Sequence, residues 1–173
     1  MTAIAASGIG LLYAARGVGA LLGPTAARVW KGDSEPALER AIGFGFPLMV
    51  AAYLLLAGAP SIGVAVAAVV LAHIAASVIW TFSTSLLNLR VPDRLKGRAF
   101  ALDAAITTVS LIASTLATAW GLDRAGLSPR AVMAALALVG IVPAIAWRLL
   151  PRAPATAVGR EGSFAKSRAV EPG

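Results

Sequence analysis

A run of 49 residues, from 41 to 89, contains no Lys, Arg, Asp or Glu. A helix that crosses the hydrocarbon core of a bilayer needs about 20 mostly apolar residues, so this run is too long for one crossing and suits two. The segment Gly58-Ala59-Pro60-Ser61 divides the run, because proline lacks the backbone N–H and glycine has no side chain to hold a helix. The sequence therefore predicts two helices here, on either side of this break.

The rest of the chain has the same apolar character. It is 58% hydrophobic and 13% charged, whereas soluble domains are about 45–50% apolar and about 25% charged, which excludes a soluble globular domain. We predict an all-α polytopic membrane helix bundle in residues 1–150. Its five transmembrane helices are expected over about 3–29, 41–59, 62–89, 99–120 and 131–150.

The composition also excludes several kinds of site. Without cysteine there is no disulfide framework, thiolate metal site or cysteine nucleophile. Paired carboxylates, a Ser/His/Asp set, metal-ligand spacing and a phosphate-binding loop are all absent from the sequence. We expect no enzymatic activity, no catalytic residue, no metal and no cofactor. Nucleic acid is not an expected partner despite the net charge of +7, because the segments between the charges are apolar.

The basic residues predict the orientation in the membrane, because cytoplasmic loops carry an excess of Lys and Arg. Twelve of them would lie on the side that holds the C-terminus and only two, Arg124 and Arg130, on the other. We therefore expect an external N-terminus and a cytoplasmic C-terminus. Residues 151–173 are rich in Ala, Gly, Pro and Ser, which is typical of a disordered basic cytoplasmic tail. Trp30, Trp120 and Trp147 fall near predicted helix ends, as in an interfacial aromatic belt.

Polar side chains recur on one face of two predicted helices, at spacings of three and four residues. The third helix carries His73, Ser77, Thr81, Thr84 and Asn88, and the fourth carries Asp103, Thr107, Ser110, Ser114 and Thr118. The second and fifth helices are almost free of polar side chains. Since polar residues at membrane depth tend to face the bundle interior or a water-filled cavity, we expect helices one, three and four to face inward and helices two and five to face lipid. The alternative is that the hydroxyls bond their own helix carbonyls or allow close packing.

Three ionisable residues lie inside the predicted spans. Arg16 is near mid-membrane, where an unpaired arginine costs at least about 2.5–3.5 kcal/mol, so we expect it to have a partner or a wet cavity. His73 is either a packed hydrogen-bonding residue or a proton carrier. Asp103 either forms an ion pair with Arg98 or Arg94 or carries protons.

Two sets of small residues predict close helix contacts rather than ligand sites. The first helix carries Gly19 and Gly23 in a GxxxG arrangement, and the fourth carries Ala113, Ala117 and Gly121 at a spacing of four.

The loop after the third helix reads Asn88-Leu-Arg-Val-Pro-Asp-Arg-Leu-Lys-Gly-Arg-Ala-Phe-Ala-Leu102. Pro92 and Asp93 make a good helix start. Arg90, Arg94 and Arg98 recur every four residues, so a short helix would lay one basic face on anionic headgroups.

The set Pro92, Asp93, Arg94, Gly97 and Arg98 resembles the P-(D/E)-x-x-x-G-R loop of major facilitator superfamily transporters, in the branch of enterobactin- and multidrug-exporter-like proteins. The first span, from Gly8 through Arg16 to Pro24, looks like the eighth helix of that branch. The resemblance covers residues 1 to about 150. It implies that the five helices are helices 8–12 of a twelve-helix transporter, and therefore a partial major-facilitator fold.

The resemblance implies a proton-coupled exporter, an antiporter of small amphipathic molecules, in a bacterial inner membrane. The substrate and proton pathway candidates are Arg16, His73, Ser77, Thr81, Asp103, Thr107 and Ser110. Helices 1 to 7 are absent from the sequence, so the expected partners are the lipid bilayer, a small-molecule substrate and the missing N-terminal half, in the same or a separate chain. The alternative is a non-transporting membrane scaffold or assembly subunit.

Overall fold

The computed structural model describes residues 3–31 and 34–149, and the predicted tail lies outside them. All regular structure in the described part is α-helical. The helices are α1 (Ala3–Lys31), α2 (Glu35–Ala57), α3 (Ile62–Arg90), α4 (Asp93–Asp123) and α5 (Pro129–Leu149).

The break between α2 and α3 is confirmed at the predicted place. The N–H of Gly58 donates to the carbonyl of Leu54 at 3.1 Å and closes the end of α2. Ser61 caps the start of α3, where its hydroxyl oxygen accepts from the N–H of Val64 at 3.4 Å. This cap satisfies one of the N–H groups that a helix start leaves without a partner.

Two helices begin six residues earlier than predicted. Glu35 opens α2 with Pro36 behind it, and Asp93 opens α4 directly after Pro92. The predicted spans start only where the charged residues end, whereas a helix can continue out of the bilayer into the headgroup region. Acidic residues in the first turn also favour a helix start, because they complement the helix dipole.

Four of the described helices, α2 to α5, are long and apolar enough to cross a membrane. The first helix is not among them, although it has 29 residues. A fifth crossing, by α1, stays a prediction. Pro47 and Pro143 lie inside α2 and α5 as expected, and Pro24 lies inside α1.

Packing in the described bundle centres on α2 and α3. Helix α2 packs against both α3 and α5, and α1 packs mainly against α3. The core formed by α2 and α3 comprises Leu38, Ala41, Ile42, Val78, Phe82 and Leu86. The second helix is therefore not peripheral among the described helices. Its lack of polar side chains did not predict its position, because apolar side chains pack against other helices as well as against lipid.

Helix α4 is almost unpacked. None of the residues in its most apolar 18-residue stretch is buried. It contacts α5 near the turn that joins them, where Gly121 lies against Leu127 and Val132. Gly126, with φ of +64°, forms this turn, and the N–H of Leu127 donates to the carbonyl of Gly121 at 2.9 Å. Ala113, Ala117 and Gly121 help to line a cavity of about 370 Å³ between the two helices. Even a Cβ added at Gly121 would lie at ordinary van der Waals distance from Leu127 and Val132, so the helix contact at these small residues is looser than predicted.

Candidate functional site

The crossing of α1 and α3 is close because Gly19 and Gly23 have no side chains. A Cβ added at Gly19 would lie 2.9 Å from the Cβ of His73, and one at Gly23 would lie 2.6 Å from the carbonyl oxygen of Ile74. Both distances are shorter than carbon atoms tolerate in packed proteins. The predicted close contact of the GxxxG segment is confirmed.

This crossing brings together two of the predicted pathway residues, Arg16 and His73. Both line a cavity of about 190 Å³ between α1 and α3. Gly19 lies one turn after Arg16 and directly against His73, so the same glycine that allows the crossing also places the two side chains at one depth. The full lining consists of Ile9, Leu12, Tyr13, Arg16, Val69 and His73.

Arg16 lies at the middle of α1, 13 residues after Ala3 and 15 before Lys31. Its side chain is exposed, and it forms no ion pair or hydrogen bond with any residue that the structure describes. A partner for this cation is therefore not found among the described residues, and a wet cavity around it stays a prediction.

His73 is half buried, and one of its two ring nitrogens is hydrogen-bonded within α3. Its Nδ1 lies 2.9 Å from the carbonyl oxygen of Val69. Because a carbonyl only accepts, Nδ1 carries the hydrogen of this bond. Within the described residues Nε2 has no hydrogen-bond partner, which leaves this atom available to a ligand or a proton.

Most hydroxyls of the α3 stripe bond to their own helix. Ser77 donates to the carbonyl of Ile74 at 3.1 Å, and Thr84 donates to that of Trp80 at 2.8 Å. Such bonds agree with the alternative interpretation of the stripe, in which the hydroxyls bond to carbonyls of their own helix. Thr81 is half buried, and no described residue bonds to its hydroxyl. Thr81 is therefore the hydroxyl of the stripe that keeps hydrogen-bonding capacity for a ligand.

The α4 candidates lie apart from this cavity. Asp103 and Ser110 are exposed and Thr107 is half exposed, on a helix that packs mainly against α5, near its far end, among the described helices. Asp103 forms no ion pair with Arg98 or Arg94 among the described residues. The reason is spacing: side chains three or four positions apart meet on a helix, whereas these arginines are five and nine positions away.

The loop before α4 differs from its predicted form. Pro92 and Asp93 do start a helix, and Asp93 Oδ1 pairs with Lys96 Nζ at 2.8 Å. Arg94, Gly97 and Arg98 are exposed. The single basic face over Arg90, Arg94 and Arg98 is wrong, however, because Arg90 ends α3 and Pro92 breaks the chain before α4 begins.

Arg90 belongs to an ion cluster that the sequence analysis missed. Its guanidinium bonds to Glu35 through Nε and to Glu39 through Nη2, the latter at 2.5 Å. These contacts tie the end of α3 to the start of α2. The signal was available, because Glu35 and Glu39 are four residues apart and share one helix face.

Trp147 also differs from its predicted role. It lies near the end of α5, but its ring packs on Phe46 with centroids 6.0 Å apart. Its Nε1 is buried without a hydrogen-bond partner in the described part of the chain, whereas a tryptophan of the interfacial belt keeps its N–H wet. Trp120 is 64% exposed near the end of α4, which fits the belt, and the side chain of Trp30 lies outside the described residues.

The described residues hold no group of His, Asp or Glu that could bind a metal ion. Comparison of the chain with protein-family models, with curated proteins and with solved structures found no match.

Proposed function

We propose that the chain is the C-terminal part of a secondary active transmembrane transporter of the major facilitator type, a proton-coupled exporter of small amphipathic molecules. The observation that carries the proposal is the state of α4. This helix is apolar enough to span a membrane and carries a polar stripe, yet it packs against almost nothing in the described bundle.

A helix with that composition requires partners. Polar side chains at membrane depth face protein or water rather than lipid, whereas Asp103 and Ser110 are exposed in the described bundle. Arg16 on α1 is in the same position. The polar faces of α1 and α4 lack packing partners in the described bundle. In this proposal, helices of the missing N-terminal half pack against both faces.

The pathway candidates would surround a substrate site at the middle of the membrane. Secondary transporters expose such a site alternately to each side as one half rocks against the other. In this proposal Arg16 and His73 form one wall, with Ser77 and Thr81 on the next turns of α3. The stripe of Asp103, Thr107 and Ser110 on α4 forms another wall. Imidazole is a common proton shuttle in proteins, and we assign the coupled proton to His73.

The proposed orientation has the C-terminus in the cytoplasm of a bacterium and the bundle in its inner membrane. The charge distribution supports it. One end of the bundle carries eight basic residues at helix ends, and the other carries two. The first set is Arg28, Lys31, Arg40, Arg90, Arg94, Lys96, Arg98 and Arg148, and the second is Arg124 and Arg130. The hydrogen bond from Arg130 to the carbonyl of Ala59, at 3.1 Å, places the α2–α3 and α4–α5 turns together at the second end.

The need for further helices is tested by the size of the native product. An antibody against the tail peptide around residues 160–168 is applied to membranes of the source cell. A band well over twice the 17.5 kDa of this chain is the expected result, and it would place the missing helices in the same polypeptide. If the band lies at 17.5 kDa, co-purification of a second membrane chain of transporter size is required, and its absence would contradict the proposal.

The second candidate is a non-transporting scaffold or assembly subunit. The observation that favours it is the bonding of Ser77 and Thr84 to their own helix carbonyls, which engages the hydrogens of those hydroxyls within the helix. Limited proteolysis of the 173-residue chain in mild detergent separates the two. A resistant five-helix core favours the scaffold, whereas rapid cleavage within α4 favours an incomplete transporter.

A further inference from the structure

We propose that the cavity between α1 and α3 binds the anionic head of an amphipathic molecule, a carboxylate or a phosphate, with Arg16 as its counter-charge. The apolar chain of the molecule would lie along Ile9, Leu12 and Val69. This inference rests on the proposed function, because it gives the charge and shape of the substrate at the same site.

Arg16 lacks a counter-charge among the described residues. Arg16 lies at the centre of α1, and its guanidinium has no ion pair or hydrogen bond with any described residue. The acidic residues Glu35 and Glu39 are engaged by Arg90 at the far end of the bundle. Asp103 lies on α4, which does not pack on α1. A cation at membrane depth in these surroundings favours an anion supplied from outside the described chain.

The cavity between α1 and α3 has the size of a head group. Its volume of about 190 Å³ is below the roughly 300–1,000 Å³ of pockets that enclose a whole drug-sized ligand. It suits a head group and a few carbons. Three of its six lining residues, Ile9, Leu12 and Val69, are aliphatic, so a chain attached to the head meets an apolar wall.

The polar atoms that line the cavity suit an anion. The planar guanidinium of an arginine binds carboxylate and phosphate oxygens through two parallel hydrogen bonds. The imidazole of His73 lines the same cavity, and its Nε2 has no described partner because Nδ1 is bonded to Val69. Tyr13 adds a phenol group to the lining. The cavity therefore combines one fixed positive charge with two hydrogen-bonding groups and an apolar wall.

The test uses the full 173-residue chain in nanodiscs of zwitterionic phosphatidylcholine. The probe is dodecanoic acid that carries a diazirine near its carboxyl end, and the matched probes are the alcohol and the amine with the same chain and diazirine. Light-induced labelling is mapped by mass spectrometry. We expect the acid to label peptides that contain Tyr13 or His73 at a concentration at least about tenfold lower than the alcohol, and the amine to label them least.

Variants assign the selectivity to Arg16. We expect Arg16→Gln to reduce labelling by the acid at least about tenfold. Arg16→Lys should retain most of the labelling, because the positive charge remains. Arg124→Gln is the matched control, since Arg124 is exposed at the end of α4, a helix that does not pack against α1, and labelling should be unchanged. Val69→Trp fills the cavity and leaves the charge in place, so it should also abolish labelling. Circular dichroism and gel filtration check the fold of each variant.

Repeating the labelling in nanodiscs with about one third phosphatidylglycerol identifies the source of the anion. Competition by this lipid indicates a lipid head group, and undiminished labelling indicates a free amphiphile; both agree with the proposal. Equal labelling by acid and alcohol in the wild-type chain, or full labelling in a folded Arg16→Gln variant, would overturn it.

The anion site and the proposed transport function can fail independently of each other. Selective labelling by the acid together with no transport by the native product would contradict the transporter and leave the anion site standing. Proton-driven export without any preference for the acid would contradict the anion site alone.

Discussion

Arg90, the last residue of α3, bonds through its guanidinium to Glu39 in the first turns of α2 at 2.5 Å. The side chain of Glu39 is only 14% exposed and that of Arg90 29%, and Glu35 binds the same guanidinium. This cluster joins the two helices that carry the core of the bundle.

Removal of the Arg90 side chain should therefore destabilise the bundle. We expect Arg90→Met to lower the free energy of unfolding by about 1–3 kcal/mol, because two half-buried carboxylates lose their charged donor. Unfolding in mixed micelles with increasing sodium dodecyl sulfate, followed by circular dichroism, measures the change. Arg94→Met is the matched control, since Arg94 is exposed and no described residue pairs with it. Equal effects of the two substitutions would show that the cluster does not hold α2 to α3.

A methyl group at Gly23 should disturb the crossing of α1 and α3. We expect Gly23→Ala to cost about 1–3 kcal/mol, as overpacking of a tight contact does, because its Cβ would clash with the backbone of α3 at Ile74. Gly17→Ala is the control: nothing lies within 4 Å of a Cβ there, and alanine favours a helix over glycine by about 1 kcal/mol. The same unfolding experiment should give opposite signs for the two variants. A loss of stability in Gly17→Ala as large as that in Gly23→Ala would contradict the crossing.

Trp147 should tolerate the loss of its N–H but not of its ring. We expect Trp147→Phe to be neutral or slightly stabilising, because it removes a buried donor without a described partner and such a donor costs about 1–3 kcal/mol. Trp147→Ala should cost about 3–5 kcal/mol, as large-to-small changes in packed sites do. Thermal unfolding in detergent checks both. If phenylalanine were as damaging as alanine, the indole N–H would have a partner that this arrangement lacks.

The stripe on α4 should be wet in the native product. The chain contains no cysteine, so single cysteines introduced on α4 report their own exposure. We expect Ser110→Cys to react with a membrane-impermeant maleimide at least about tenfold faster than Leu111→Cys, which lies off the stripe. Measurements in membranes of cells that express the native product give the two rates. Similar rates at both positions would mean that α4 has no watery face.

The sequence predicted the number of helices, their order and the turn at Gly58–Ser61, because proline, glycine and the lack of charge act locally. It also predicted the close contact at Gly19 and Gly23. It did not predict that Arg90 turns back to α2 or that Trp147 packs inward, because both contacts join residues more than 50 positions apart. The polarity of Arg16 and His73 made them candidates for a pathway, which stays a prediction, and the crossing of α1 and α3 shows that they share one cavity.

Proton flux in inside-out membrane vesicles tests proton-coupled export by the native product most directly. Vesicles that contain the native product are acidified inside by respiration, and a pH-sensitive acridine dye records the gradient while anionic, cationic and neutral amphipathic compounds are added one at a time. We predict that at least one compound dissipates the gradient, and that His73→Gln and Arg16→Ala each reduce this effect at least about tenfold. The absence of any compound-induced proton flux, in vesicles where the product is present and folded, would contradict transport and leave the scaffold as the better interpretation.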